Sequence, residues 1–390
     1  MELRLSSSQS SFREEVRAFI KTNLPNEIRE RLRRGHPPRK SDVVTWQKIL
    51  HQKGWAAPNW PIEFGGAGLG IEERLILLQE IYHAPAPLPL VLNINMLGPV
   101  LLRFGTQEQK QEFLPKLASL DLWFCQGFSE PGAGSDLASL RTSAKLDGDH
   151  YVVNGQKIWT SGAQHADWTF ALVRTDSSTK MQQGISMILI NLRSQGIKIR
   201  PIISIDGAHH LNEVFFEDVI VPAKNIVGEE GRGWDCAKYL LSCERAAIAN
   251  VGLCEERLSY LHELSEEIFQ AGRSIKDDMN LRLTIARLGA EIRALDLTNW
   301  RFLLNPDIDK ENPGYASILK LKGTELLQEI TALLARVSGL TGLERRSTEG
   351  QDELHPLAAL VPRYLYYRAA TIYGGTSEVQ KNILAKTILG

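Results

Sequence analysis

The runs Trp168-Thr-Phe-Ala-Leu-Val173 and Ile185-Ser-Met-Ile-Leu-Ile190 decide the fold, because they interrupt a chain otherwise patterned for helices. Both are short and rich in β-branched and aromatic residues, as is Tyr151-Val152-Val153 before them. Pairs such as Asp147-Gly148 and Asn154-Gly155 supply the turn chemistry that separates strands. A compact β domain is therefore expected over residues 122–228.

Working outward, Phe12, Val16, Phe19 and Ile20 repeat at helical spacing, as do Leu77, Leu78 and Ile81, and then Leu97, Val100 and Leu101. Residues 1–121 are expected to form a helical domain. It is interrupted by the Gly- and Pro-rich stretch from Trp55 to Gly70, which reads as an ordered turn. After Gly228-Glu-Glu-Gly-Arg-Gly-Trp234 the helical period returns, with a single stripe through Leu240, Cys243, Ala247, Val251, Cys254, Leu258 and Leu261. Residues 229–390 are thus expected to be a helical bundle, and the fold class is α+β in the order α, β, α. The polar run Arg345-Arg-Ser-Thr-Glu-Gly-Gln-Asp-Glu353 is expected to be the most flexible segment.

The 390 residues carry 45 basic and 46 acidic side chains, a formal net charge of -1. That near-balance gives no global field to gather nucleic acid or an anionic membrane, and Arg31-Leu-Arg-Arg34 reads as a solvated helix face. Cys125, Cys236, Cys243 and Cys254 form no CxxC pair, so a reducing compartment is expected and no metal site is read from them. His209 and His210 have no second cluster to complete one either. The N-terminus has no apolar core of signal-peptide length, and no stretch offers the roughly 20 apolar residues that span a bilayer. A cytoplasmic protein is expected.

Two segments carry the chemistry. Phe128-Ser-Glu-Pro-Gly-Ala-Gly-Ser-Asp136 combines hydroxyls with small residues whose backbone N–H groups a ligand can approach closely. Asn154-Gly-Gln-Lys-Ile-Trp-Thr-Ser-Gly-Ala163 sets an aromatic face beside two hydroxyls, as a planar ring system requires. Each taken alone is also an ordinary turn.

Together, and in this order, the two segments resemble the signatures of the acyl-CoA dehydrogenase family. The resemblance extends along the whole chain through Phe216-Glu-Asp-Val-Ile-Val-Pro222, Asn225-Ile-Val-Gly-Glu229, Gly231-Arg-Gly-Trp234 and the terminal Ile372-Tyr-Gly-Gly-Thr-Ser-Glu-Val-Gln380. It implies an N-terminal helical domain, a middle β-barrel and a C-terminal four-helix bundle, with FAD held between barrel and bundle. By match of position, Gln126, Phe128, Ser129, Gly134 and Ser135 line the flavin, and Trp159, Thr160 and Ser161 lie against its ring. Thr376 and Glu378 match positions near the flavin, Ser135 also one that meets the pantetheine arm of CoA, and Arg245 one that contacts the CoA end.

In this family a carboxylate removes the α-proton of an acyl thioester while the β-hydrogen leaves as hydride to the flavin. The resemblance also implies electron transfer onward to an electron-transfer flavoprotein. Many members keep the base immediately after the tyrosine of the terminal motif, as Tyr-Glu-Gly-Thr. Here that position is Gly374, which cannot take a proton, although its backbone N–H matches a donor of the oxyanion site. Glu244, in Leu241-Ser-Cys-Glu-Arg-Ala-Ala-Ile248, matches the location of the base in the isovaleryl and long-chain branches. Helical spacing sets it beside Leu240 and Ile248, where poor solvation favours basicity. Taken without the family match, Glu244 also reads as the partner of a bundle arginine.

The sequence departs from the family where homotetramers complete a neighbour's FAD. The glutamine and arginine positions fall on Met279 and near Ile268, and the Gln-x-x-Gly-Gly turn reads Arg336-Val-Ser-Gly-Leu340. Neither Met279 nor Ile268 can donate to a phosphate. These losses resemble the heteromeric members that degrade steroid side chains, in which an active subunit pairs with a degenerate one, and imply a heterotetramer. A bulky, branched or ring-bearing acyl-CoA is the expected substrate. Two further readings stay open: a non-catalytic supporting subunit, and a flavin oxidase or monooxygenase on the same fold.

Overall fold

The computed structural model describes residues 5–33, 36–179, 181–243, 249–270, 273–305, 314–344 and 356–389. Six α-helices come first: α1 (Ser7–Asn23), α2 (Asn26–Arg33), α3 (Lys40–Gln52), α4 (Ile71–His83), α5 (Gly98–Phe104) and α6 (Gln107–Ser119). Eight strands follow: β1 (Phe124–Gly127), β2 (Ser143–Asp147), β3 (His150–Lys157), β4 (Trp168–Arg174), β5 (Ile185–Asn191), β6 (Ile197–Ile203), β7 (His209–Pro222) and β8 (Ile226–Val227). Helices return after that, with one short antiparallel strand pair, Phe269–Gln270 with Arg273–Ser274, among them: α7 (Gly233–Cys243), α8 (Val251–Glu267), α9 (Met279–Leu304), α10 (Tyr315–Val337), α11 (Leu360–Tyr366) and α12 (Ser377–Leu389). The helical, sheet and helical order of the sequence reading is present. Among the described residues no helix is long and apolar enough to cross a membrane.

The chain divides into two compact units that do not follow chain order. One contains Met1–Arg39, Gly70–Leu88 and Arg245–Gly390; the other contains Lys40–Leu69 and Pro89–Glu244. The helical N-terminal stretch therefore serves both, with α1 packing on α4 and α4 on α8 in the bundle unit while α3, α5 and α6 accompany the sheet.

In the sheet unit the strands run in the order β6-β7-β3-β2-β4-β5-β8, and β1 adds to β4 in parallel. β4 and β5 are apolar at nearly every position because both faces are covered. Phe170, Leu172, Met187 and Leu189 meet helical residues such as Leu97, Phe113 and Leu117, whereas Ala171, Val173, Ile188 and Ile190 meet Val153, Val214 and Phe216. The period-two alternation of strand side chains divides each run between two cores.

The pair Asn154-Gly155 corrects the sequence reading. It is not a turn but lies inside β3, where the pairing with β7 slips between Val153 and Gly155. Gly155 takes φ +148, and a Cβ there would fall 2.5 Å from the Thr142 hydroxyl oxygen. Local sequence offers the same glycine to a turn and to a bulge; the neighbouring strand decides between them.

The stripe from Leu240 to Leu261 is likewise not one face. Leu240 belongs to the core of the sheet unit, whereas Val251, Cys254, Leu258 and Leu261 belong to that of the bundle unit. Asn250, in the left-handed region at φ 52, precedes the first turn of α8. In the bundle unit α8, α9 and α10 pack on one another and α12 packs on α10. The proposed flexible run 345–353 lies outside the described residues.

Candidate functional site

The segment after β1 is built from a strand end and a tight turn. β1 pairs with β4 so that Gln126 stands opposite Phe170 and Gly127 opposite Ala171. Phe128 is buried edge-on against Phe170, their ring centroids 5.9 Å apart. Glu130 and Ala133 exchange both backbone hydrogen bonds at 3.0 Å, which folds the Pro-Gly turn back on itself. Gly134 and Ser135 project beyond it, exposed, with nothing within 4 Å of a Cβ built at Gly134. Ser129 is partly buried, and its carbonyl accepts from the Ile158 N–H at 2.9 Å. That bond joins the first segment to the second.

The second segment leaves β3 at Lys157. Trp159 takes φ 60, a left-handed conformation that costs a residue with a Cβ roughly 1–2 kcal/mol, and its indole is 56% exposed. Residues held in such sparsely populated backbone regions cluster at active sites and ligand clamps. Ser161 is also exposed, whereas Thr160 between them points inward. Asn212 holds Thr160 on both sides, its carbonyl accepting the Thr160 N–H and its amide donating to the Thr160 carbonyl, each at 3.0 Å. The Thr160 hydroxyl is buried with no hydrogen-bond partner. This set offers an aromatic face, the hydroxyls of Ser129, Ser135 and Ser161 and an open glycine turn, and it fits a planar, hydrogen-bonding ring system.

Sequence reasoning missed the pair beneath these segments. Lys157 is fully buried and donates to the Phe128 carbonyl at 3.0 Å and to Glu130 Oε1 at 2.8 Å. Glu130 also accepts the N–H groups of Arg141, at 2.7 Å, and Thr142, at 2.9 Å. Burial pushes the Lys157 ammonium down to about 8 against the opposing pull of Glu130. Burial alone would raise the Glu130 carboxyl, but the Lys157 charge and these hydrogen bonds outweigh it and hold it below its usual range. The available signal was a lysine at an inward position of β3, in step with Tyr151 and Val153.

In the bundle unit the terminal motif follows the 3-10 turn Tyr367–Thr371 and runs into α12. Thr376 caps α12, its hydroxyl accepting the Val379 N–H at 3.2 Å. Glu378, in the first helical turn, has its carboxyl lowered first by its own backbone N–H and then by the Thr376 hydroxyl. Gln380 is buried; it accepts from the Ser317 hydroxyl at 2.6 Å and donates to the Gly374 carbonyl at 3.2 Å. Gly374 has φ +64 with no described residue within 4 Å of a Cβ, whereas a Cβ on Gly375, at φ +84, would fall 2.6 Å from the Gln380 amide nitrogen. Space is therefore available at Gly374 and denied at Gly375. Tyr373 keeps half its surface exposed, yet burial and the nearby Tyr366, Tyr367 and Tyr82 raise its phenol. Lys320 on α10 is buried, its ammonium without a hydrogen-bond partner among the described residues and lowered by burial.

Glu244 and Arg245 lie outside the described residues. Met279 and Leu340 are exposed, by 59% and 85%, and Ile268 packs partly against the bundle core. His209 meets Asn212 at 2.7 Å and His210 meets Asp206 at 2.9 Å. Among the described residues no three His, Cys, Asp or Glu side chains are grouped to hold a metal ion.

Three family profiles match in succession: "Acyl-CoA dehydrogenase, N-terminal domain" over residues 6–121, "Acyl-CoA dehydrogenase, middle domain" over 125–219, and "Acyl-CoA dehydrogenase, C-terminal domain" over 231–389. Acyl-CoA dehydrogenase IpdE1 of Mycobacterium tuberculosis is 36% identical, over 97% of each chain. Among solved structures, the Tcur3481-Tcur3483 steroid ACAD has a TM-score of 0.85 at 31% identity, over 100% of this chain and 99% of that one. The ChsE4-ChsE5 complex of Mycobacterium tuberculosis has a TM-score of 0.83 at 35% identity, again over 100% and 99%.

Proposed function

The chain belongs to the acyl-CoA dehydrogenase family and is an acyl-CoA dehydrogenase, and within that family we propose FAD-dependent α,β-dehydrogenation of an acyl-CoA thioester with Glu244 as the base. The observation that carries this reading is Gly374. The terminal motif keeps its framework, with Thr376 capping α12 and Gln380 gripping the loop, yet the position after Tyr373 bears no carboxylate. The proton must go elsewhere, and Glu244 matches the alternative location in the family. Its carboxylate would take the α-proton, which requires hydrogen-bond reach in a poorly solvated setting. Arg245 would meet the CoA end.

Members of this family are generally FAD-dependent, and the residues present fit that cofactor. Trp159 would lie against the ring with Ser161 beside it, Gln126, Phe128, Ser129, Gly134 and Ser135 would line it, and Thr376 and Glu378 match further positions near the flavin in the family. Thr160 faces inward, so its share would come through the backbone that Asn212 fixes. When bound, the flavin supplies the hydride acceptor for the β-hydrogen. The Gly374 N–H would donate to the thioester oxygen, where one such donor is worth up to about 3–4 kcal/mol. An electron-transfer flavoprotein is the acceptor this reading requires.

The acyl group proposed is bulky or ring-bearing, as in steroid side-chain acyl-CoA. The open space at Gly374 supports this, and a similar structure is described as a steroid ACAD. The chain is further proposed to pair with a related chain in a heterotetramer. Met279 and Leu340, at positions where homotetramers hold a neighbour's FAD, present exposed apolar side chains. Glu244→Gln tests the base: thioester oxidation is expected to fall at least ~100-fold with flavin still bound. Unchanged oxidation would sink the assignment, and rapid oxygen consumption by the reduced protein would point to an oxidase. Co-expression with a homologous partner should yield half as many flavins as chains; one per chain in a homotetramer defeats the heteromer.

A further inference from the structure

Lys157 and Glu130 have no task in the reaction proposed above. They form a buried ion pair, and breaking one partner of such a pair is costly, whereas replacing both by apolar residues is often neutral or better. Stability alone therefore does not account for them. An apolar pair would be unable to hold a carbonyl, and Lys157 holds that of Phe128 at 3.0 Å. The next carbonyl, of Ser129, is held by the Ile158 N–H at 2.9 Å. Consecutive carbonyls of the first segment are thus tied to the residues immediately before Trp159.

We propose that Lys157 is a positioning residue for the flavin. By gripping the Phe128 carbonyl and the Glu130 carboxylate together, it fixes the spacing between the segment bearing Ser129, Gly134 and Ser135 and the segment bearing Trp159 and Ser161. This rests on the FAD reading above. Lys157 touches no reacting atom; it acts through Phe128 and Glu130.

The charged groups facing Lys157 are Glu130 and Arg174, and Arg174 is itself engaged by the carbonyls of Ala138 and Leu140 at 2.6 and 3.2 Å. With the ammonium lowered to about 8, rising pH removes its proton in the folded protein before the unfolded chain gives up its own. Between that point and the ordinary lysine value of about 10.4, the unfolded state binds more protons, so this group's contribution to stability rises with pH. Its grip weakens over the same window. Flavin affinity and fold stability should then move in opposite directions, which a purely structural pair would not produce.

The test measures FAD dissociation constants and urea midpoints for the full-length protein, co-expressed with the homologous partner proposed above. It uses wild type, Lys157→Met, Glu130→Gln and the Lys157→Met/Glu130→Gln double variant. Lys157→Met is expected to weaken FAD binding roughly ten-fold or more and to lower the midpoint. The double variant, free of the orphaned charge, should regain much of the midpoint without regaining FAD affinity. Wild type alone, which needs no variant to fold, should lose FAD affinity above about pH 8, and that step should vanish in the double variant. FAD affinity that simply follows the midpoint through the series, or a wild-type affinity flat across that pH range, overturns the proposal. Wild type that binds no FAD at all overturns the cofactor reading and this proposal with it.

Discussion

The side-chain amide of Gln380 reaches back six residues to the carbonyl of Gly374 at 3.2 Å, while its oxygen takes the Ser317 hydroxyl at 2.6 Å. One buried side chain thereby ties the terminal loop both to the start of α12 and to α10. The same amide nitrogen would meet a Cβ on Gly375.

Two adjacent glycines should therefore respond differently to alanine. Gly374→Ala meets only the left-handed backbone penalty, roughly 1–2 kcal/mol. Gly375→Ala meets that penalty and also pushes Gln380 off the loop, a further loss of about 1 kcal/mol. Urea unfolding of the two variants should rank them in that order, and equal losses would mean that Gln380 does not hold the loop.

The room at Gly374 allows a base to be put back. In a Glu244→Gln background, Gly374→Glu should recover part of the lost thioester oxidation, because the first side-chain atom there meets no described residue within 4 Å. Recovery should remain well below wild type, since the left-handed backbone disfavours a side chain. A double variant as inactive as Glu244→Gln argues that the terminal position no longer faces the substrate.

Trp159 should show a trade between stability and ligand. Trp159→Gly relieves the left-handed strain, so the flavin-free protein should be as stable as wild type or more so, by up to about 1 kcal/mol after the entropic cost of glycine. FAD affinity should drop in the same variant. Thermal unfolding of the flavin-free protein beside a flavin titration checks both, and a large loss of stability would make the indole a packing residue.

Glu130 predicts the acid limb. Its carboxyl is lowered in the folded state, so its stabilisation is present above the unfolded value of about 4.3 and lost as pH falls through the folded value. Glu130→Gln should be less stable near neutrality and show a shallower fall in stability below about pH 4.3. Parallel curves for the two proteins would contradict the shift.

Much of this was legible in the sequence where a pattern is local. The runs 168–173 and 185–190 became β4 and β5 because apolar, β-branched residues suit strands covered on both faces. The helices through Val16 and Ile81 follow from spacing and from caps such as Ser6, whose hydroxyl accepts the Gln9 N–H while Gln9 answers at the Ser6 N–H. What was not legible depends on distant partners. Asn154-Gly155 became a bulge because β7 sets the register, and Leu240 separated from Val251 because each found a different core. The motifs singled out Trp159, Gly134 and Ser135, all of which are exposed, whereas the Lys157 grip on Phe128 emerged only when strand pairing brought residues 29 positions apart together.

The interleaving of the two units has a consequence for how the protein is made. The sheet unit is closed by residue 244, but α1 and α4 belong with helices that begin only after residue 245. At typical synthesis rates of ~5–20 residues per second, α4 waits roughly eight seconds or more for α8 to leave the ribosome. Tyr82 on α4, against which Gly252 of α8 packs, stays without that cover through the interval. Growth temperature and chaperone supply should therefore govern the yield of folded chain more than the final stability does, and neither unit can be cut out as one continuous piece of the gene.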